Sequence, residues 1–427
     1  MMSGSVQRRV LVGLSLAAWL SIAAPRPAAG QPAPPRAELE RKDPGGLMGE
    51  RAFRRFENLT ALYSNGQYRE ALAAVEAYLK LELSDYERAM GEQLRGFILI
   101  GLDRGAEAIP GFEDALKRDA LPNSAHFKLM KSLAQLHASL GQWPKAIEML
   151  SRYLRYQPEP AADDMILMGQ CYVQLDRYRD ALPWVQGAIQ AAGAAAQESW
   201  HQLELAIHFD LKDYRAALGV LNSLVARWPD RLRYWEMMAG AHQELNQDTE
   251  ALSALLAAYN GGLIRDEAKI LNLVRLSLYV ELPFQAGVIL SEAMDGGQVR
   301  ASKEHLELLL SAWTAAREFD RAGQVIDRLA PQTGDGNLYM QKAQLLMQQN
   351  RWQATIDAGR QALELGKLSR PGEAWLLIGI ASMELGKLQE SRQALLRAQE
   401  FDEATRRQAR EWQRFVEDRI QVAEARR

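Results

Sequence analysis

Residues 235–258 read WEMMAGAHQELNQDTEALSALLAA. Apolar residues recur three or four apart on both sides of Asn246-Gln247-Asp248, which marks two amphipathic helices joined by a short polar turn. Ala251 stands just inside the second helix, where a small side chain lets two helices cross closely. Ala239, twelve residues earlier, is the small residue of the first helix, and Leu255, four residues later, continues the apolar stripe. A helical hairpin accounts for the whole stretch.

The same hairpin recurs along the chain. Small residues matching Ala251 stand at Ala71, Ala108, Ala146, Ala181, Ala217, Ala286, Ala322, Thr355 and Ser391, at intervals of 33 to 38 residues. Four residues beyond each marker the side chain is apolar, with Gly359 as the exception. Twelve residues before it, Gly96, Ala134, Gly169, Ala239, Ala343 and Gly379 are small. Three residues before it an aromatic recurs as Tyr68, Trp143, Tyr178, Tyr214, Phe319 and Trp352. One such hairpin cannot cover its own apolar stripe, so stability must come from stacking each on the next. The pattern predicts an all-α fold, a right-handed α-solenoid of about ten helical hairpins over residues 50–402. Residues 403–427 read as a C-terminal capping helix, with Asp402 as its N-cap and Trp412, Val416 and Ile420 on one stripe.

These motifs resemble the tetratricopeptide repeat, whose pattern sets Trp, Leu-Gly, Tyr, Ala, Phe and Pro at fixed offsets. The match is good at Trp235, Met238-Ala239, Ala251 and Leu255, and again at Trp375, Ile378-Gly379, Leu385-Gly386, Leu395 and Ala398. Pro158 and Pro229 fall where the pattern closes. Pro110 and Pro183, inside second helices, depart from it and should each remove a backbone hydrogen bond. Over residues 230–415 the chain is also similar to periplasmic tetratricopeptide proteins that accompany TonB systems. The segments concerned are Arg233-Tyr234-Trp235, Leu278-Tyr279 with Pro283-Phe284-Gln285-Ala286, Asp335-Gly336-Asn337-Leu338-Tyr339, Arg370-Pro371-Gly372-Glu373-Ala374-Trp375, and the run from Glu403 to Trp412. That resemblance implies a non-catalytic accessory of the TonB–ExbB–ExbD complex.

The N-terminus reads as an address. Arg8 and Arg9 precede the apolar run Val10 to Ala24, which is shorter than the ~20 residues of a membrane span. Ala28 and Gly30 offer small residues before a cut at Gln31. Residues 1–30 are thus expected to be a signal peptide that leaves no membrane segment after cleavage, and the protein is expected to be periplasmic. An uncleaved anchor is the other reading. Six of the sixteen prolines lie between Pro25 and Pro44, so residues 31–49 should be a flexible lead-in.

Composition narrows the chemistry. Lys and Arg number 51 against 54 Asp and Glu, a net charge of −3 that is no nucleic-acid footprint. The single cysteine, Cys171, rules out an internal disulfide framework. Six threonines and the lack of long β-branched runs argue against a large β domain. The six histidines lack metal-ligand spacing, and His137, His208 and His242 share one slot of three repeats, as packed residues would. Gly366-Lys367 and Gly386-Lys387 lack the preceding glycine of a phosphate loop. No catalytic, cofactor or metal site emerges, and the chain is not expected to be an enzyme.

The resemblance to tetratricopeptide proteins implies that function lies on the concave face of the array, lined by first helices. The register places Lys128, Lys131, Gln135, Gln170, Gln202, Phe209, Arg233, Glu236, Gln243 and Arg275 there. Glutamine amides can bond an extended backbone through both donor and acceptor, and the cations suit carboxylates. The expected function is a scaffold that binds a cell-envelope protein, in TonB-type energy transduction or, alternatively, in outer-membrane or polysaccharide export and assembly.

Overall fold

A computed structural model describes residues 40–425. The signal-peptide reading and residues 31–39 of the lead-in lie outside them, as do residues 426 and 427. Among the described residues there are 21 α-helices and one short 3-10 turn, and no strand. The chain forms two compact units, the first ending at Asp213 and the second beginning at Tyr214.

In the first unit α1 (Glu50–Ser64) pairs with α2 (Tyr68–Leu79), and α3 (Asp85–Gly101) with α4 (Gly105–Lys117). Next come α5 (Asn123–Ser139) with α6 (Trp143–Leu154), α7 (Ala162–Val173) with α8 (Tyr178–Ala192), and then α9 (Glu198–Asp210). The second unit opens with α10 (Tyr214–Arg227). Its hairpins are α11 (Leu232–Glu244) with α12 (Asp248–Asn260), α13 (Glu267–Tyr279) with α14 (Pro283–Asp295), and α15 (Lys303–Ala315) with α16 (Phe319–Thr333). Two more follow, α17 (Gly336–Gln348) with α18 (Trp352–Leu365) and α19 (Pro371–Glu384) with α20 (Leu388–Ala398). Within each unit every hairpin packs on the next. The fold is an all-α array of stacked helical hairpins.

The small markers explain the stacking. All ten, from Ala71 to Ser391, are buried in their second helices. Where the first helix carries glycine twelve residues earlier, the apolar side chain of the same repeat fills the space a Cβ would take. A Cβ on Gly96 would stand 2.0 Å from the Phe112 ring, one on Gly169 2.6 Å from Val185, and one on Gly379 2.7 Å from Leu395. Gly359 breaks the apolar rule for the same steric reason: Ile378 of α19 lies 2.8 Å from where its Cβ would be.

The turns share one backbone device. Exactly one residue with positive φ stands five positions before each marker: Gly66, Asp103, Gly141, Asp176, Lys212, Asn246, Glu281, Arg317, Asn350 and Gly386. This left-handed residue reverses the chain between the two helices of a hairpin. The helices run on through Pro110 and Pro183, which fall in the second turns of α4 and α8.

Both ends of the described chain are tied down. The helix α21 (Glu403–Ala425) starts at Asp402, whose carboxylate accepts from the Thr405 amide at 2.9 Å and its hydroxyl at 2.7 Å. Those bonds lower the Asp402 pKa. Ala409 and Val416 bury against Leu376, Ile380, Met383 and Leu395, so α21 covers the last hairpin. At the other end, residues 40–49 correct the expectation of a free lead-in. The Arg41 side chain, 7% exposed, donates to the Asp119 carboxylate at 2.7 Å and to its carbonyl at 2.9 Å. Asn123 donates to the Arg41 carbonyl, and Glu87 accepts from the Gly49 amide at 2.8 Å. A buried guanidinium with its donors filled holds this segment against the α4–α5 connection.

Candidate functional site

Each first helix shows one polar stripe to solvent, set by the same register that buries its other side. In the first unit Lys128 and Gln135 on α5 and Gln170 on α7 are exposed. In the second, Arg233 and Gln243 on α11 and Arg275 on α13 are exposed. The remaining four residues are half-buried. Gln202 donates to Glu198 at 3.2 Å along α9, and Phe209 sits on the same helix. Glu236 accepts from Lys269 of the next first helix. Arg233 donates to the Tyr234 hydroxyl at 2.6 Å and stacks over that ring.

Lys131 is the residue whose setting differs most from a groove cation. Its ammonium lies 2.6 Å from Oδ1 of Asp164 on α7, and that carboxylate is buried with 2% of its side chain exposed. The contact falls outside good hydrogen-bond geometry, so the attraction is that of a close charge pair. Tyr153 on α6 also faces Asp164, and burial first, then the carboxylate, pushes its pKa up to about 12. Lys131 therefore serves the stacking of α5 on α7. The sequence signal was available: Lys131 and Asp164 are 33 residues apart, as are Glu236 and Lys269.

The histidines behave as packed polar residues. His137 is buried with its ring nitrogen 2.8 Å from the Gln142 amide oxygen, and His242 repeats that contact with Gln247 at 2.9 Å. His126 is buried beside Arg41 and Asp119; burial, followed by the Arg41 charge, lowers its pKa to about 4. Cys171 is fully buried, and burial raises its pKa to about 11, so it is a poor thiolate source at neutral pH. Among the described residues no group of three His, Cys, Asp or Glu could hold a metal, and no helix is long and apolar enough to cross a membrane. A cleft between α16, α17 and α18 holds charges already paired with one another, Lys342 with Asp327 and Arg351 with Asp320.

Comparison with known proteins agrees with the repeat register. A tetratricopeptide repeat family model matches residues 131–196, 207–265 and 340–406. The chain carries tetratricopeptide repeats. No curated protein matches it. Among solved structures, it is similar to a tetratricopeptide repeat protein of Parabacteroides merdae, at 16% identity over 62% of this chain and 99% of that one, with a TM-score of 0.37. The C-terminal part of a repeat protein of Cytophaga hutchinsonii is 13% identical over 65% and 94% of the two chains, with a TM-score of 0.37. YrrB, described as a tetratricopeptide protein with an unusual peptide-binding site, is 15% identical over 40% and 85%, with a TM-score of 0.34. Tetratricopeptide arrays act as protein-binding scaffolds, and the fold of this chain suggests that role.

Most segments behind the narrower TonB resemblance turn out to be packing devices. A Cβ on Gly336 would stand 2.4 Å from the Gly366 carbonyl oxygen, and one on Gly372 2.9 Å from Phe401. Asn337 bonds Asp335, the Lys367 carbonyl and Ser369, which locks α17 to the loop before α19. Tyr234 is buried, and Trp235 donates to the Pro229 carbonyl at 3.0 Å. The exception is the Tyr279 to Phe284 stretch, whose large side chains point to solvent.

Proposed function

We propose that this tetratricopeptide repeat protein is a non-catalytic periplasmic scaffold, an accessory of TonB–ExbB–ExbD energy transduction that holds a segment of an envelope protein on its first helices. The observation that carries the binding role is the recurrence of exposed amide and cationic side chains in one slot, Gln135 and Gln170 in one unit and Arg275 in the other, with Gln243 exposed on its own first helix. Amides that pair with neither core nor neighbour suit an extended backbone, and the cations suit its carboxylates. The basic, apolar and small-residue order of residues 8–30 supports the periplasmic location, and the motif segments of residues 230–415 support the TonB assignment.

Two measurements test the reading. N-terminal sequencing of the protein recovered from a Gram-negative periplasm is expected to begin at Gln31. A photo-crosslinking amino acid placed at Gln135 and, separately, at Gln243 is expected to trap TonB, ExbB or ExbD in living cells. Crosslinks confined to porin-assembly or polysaccharide-export components would replace the TonB assignment with the export one. Crosslinks to neither class would remove the first-helix stripe as the binding face.

A further inference from the structure

A second surface lies at the end of first helix α13, one turn beyond Arg275. The turn of α13 into α14 exposes Tyr279 by 72%, Leu282 by 44% and Phe284 by 47%. These three lie seven, four and two residues before the marker Ala286. In the other nine hairpins the same slots hold no aromatic, leucine, isoleucine, valine or methionine: Glu244, Gln247 and Thr249 precede Ala251, for instance, and Ala315, Glu318 and Asp320 precede Ala322. The turn itself does not need them. Its reversal is made by Glu281 in the left-handed region, and Pro283 starts α14. Repetition of the fold thus shows what the turn requires, and these three apolar side chains exceed it. Grouped exposed apolar side chains of this kind mark interaction surfaces.

The rim of the patch says what it recognises. Phe284 packs edge-on against Trp313 at 5.8 Å between ring centres. The Arg321 guanidinium lies over both rings, 5.3 Å from Phe284 and 4.6 Å from Trp313. Gly287 makes room for this stack, since a Cβ there would stand 2.7 Å from the Trp313 ring. The nearest carboxylate, Glu318, is 3.8 Å from Arg321, beyond hydrogen-bond reach. The guanidinium is held in place by ring stacking, while its N–H fork faces no bonded acceptor among the described residues. We infer that this turn is a docking surface for a protein segment that sets a large apolar side chain beside an Asp or Glu carboxylate: the apolar side chain lies on Tyr279, Leu282 and Phe284, and Arg321 pairs with the acid. This surface adjoins Arg275 of the proposed stripe, but the inference rests on the apolar patch and Arg321 and does not depend on the stripe.

The probe is a phage-displayed library of random linear peptides, selected on the full chain after depletion on Tyr279→Ser/Leu282→Gln. Both changes are at exposed positions, so equal melting curves are the check on folding. The selected consensus is expected to place a large apolar residue within two positions of Asp or Glu. A synthetic peptide of that consensus should lose about tenfold or more in affinity for the double variant and for Arg321→Gln, the size of one charge-assisted hydrogen bond. Replacing the peptide's acid by its amide should match the Arg321→Gln loss on the wild-type chain, a comparison that needs no variant fold. Lys80→Glu, at an exposed position of the first unit outside the stripe, should bind the peptide as wild type does. A basic or purely apolar consensus, or peptides bound equally by wild type and both patch variants, would overturn the inference.

Discussion

Replacing Lys131 by methionine is expected to damage the array more than any other change at an outward-facing cation. At 2.6 Å, two unit charges in a medium of effective dielectric ~20 attract by about 6 kcal/mol. The pair does not contribute that much to stability, because the Asp164 carboxylate gives up nearly all its water to reach this position. Removing the cation leaves the burial penalty without its compensation, a loss of about 3–5 kcal/mol. Methionine keeps the length and apolar stem of lysine, so packing loss adds little. Asp164→Leu in the same background removes the stranded charge and should recover most of the loss. The Tyr153 hydroxyl, protonated up to about pH 12, stays as a donor in either variant and cannot replace a cation. Amide hydrogen exchange across α5 to α7 is the appropriate readout, since a repeat array opens locally before it unfolds as a whole. Lys131→Met within about 1 kcal/mol of wild type, or two changes that simply add, would show that the ion pair does not couple the two hairpins.

Other perturbations probe the remaining devices. Gly379→Val would drive a side chain into Leu395 and should cost about 1–3 kcal/mol or more in urea unfolding. Gly141→Ala forces an L side chain into the left-handed turn, although nothing lies within 4 Å, and should cost about 1 kcal/mol from backbone strain alone. The fold holds His126 neutral down to about pH 4, whereas the unfolded chain takes up that proton near 6.5. Its contribution is therefore complete above pH 6.5 and is lost as pH falls toward 4, by up to about 3 kcal/mol. His126→Gln should flatten that part of the stability profile; an unchanged slope would mean that burial beside Arg41 does not keep the ring neutral.

The fold was legible because its determinants recur. A buried small residue every 33 to 38 residues, with glycine or alanine twelve positions before six of the ten, points to close crossings repeated in register. The left-handed turn was half hidden, since Lys212, Glu281 and Arg317 occupy it without the glycine that betrays it at Gly66, Gly141 and Gly386. The held segment at Arg41 was illegible because its proline-rich context favours extension and says nothing of Asp119, 78 residues away. The candidate stripe was legible as a periodicity of exposed polar residues. Which of those residues were already engaged by the next repeat was not, because that depends on the offset between consecutive first helices.

That offset separates two kinds of slot. In two hairpins the residue fifteen before the marker meets the next first helix: Lys131 reaches Asp164, and Glu236 reaches Lys269. The residue eleven before is turned away from that contact, as Gln135, Gln170 and Arg275 are. Substitutions at the first kind of slot should therefore move stability, and those at the second should move binding. Gln135→Glu and Gln170→Glu together are expected to leave the melting curve within about 0.5 kcal/mol of wild type, as for ordinary surface changes. The same pair should reduce the yield of envelope crosslinks from a probe at Lys128, because the added acids repel a partner's carboxylates. Reduced stability with unchanged crosslinking would reverse the assignment of the two slots.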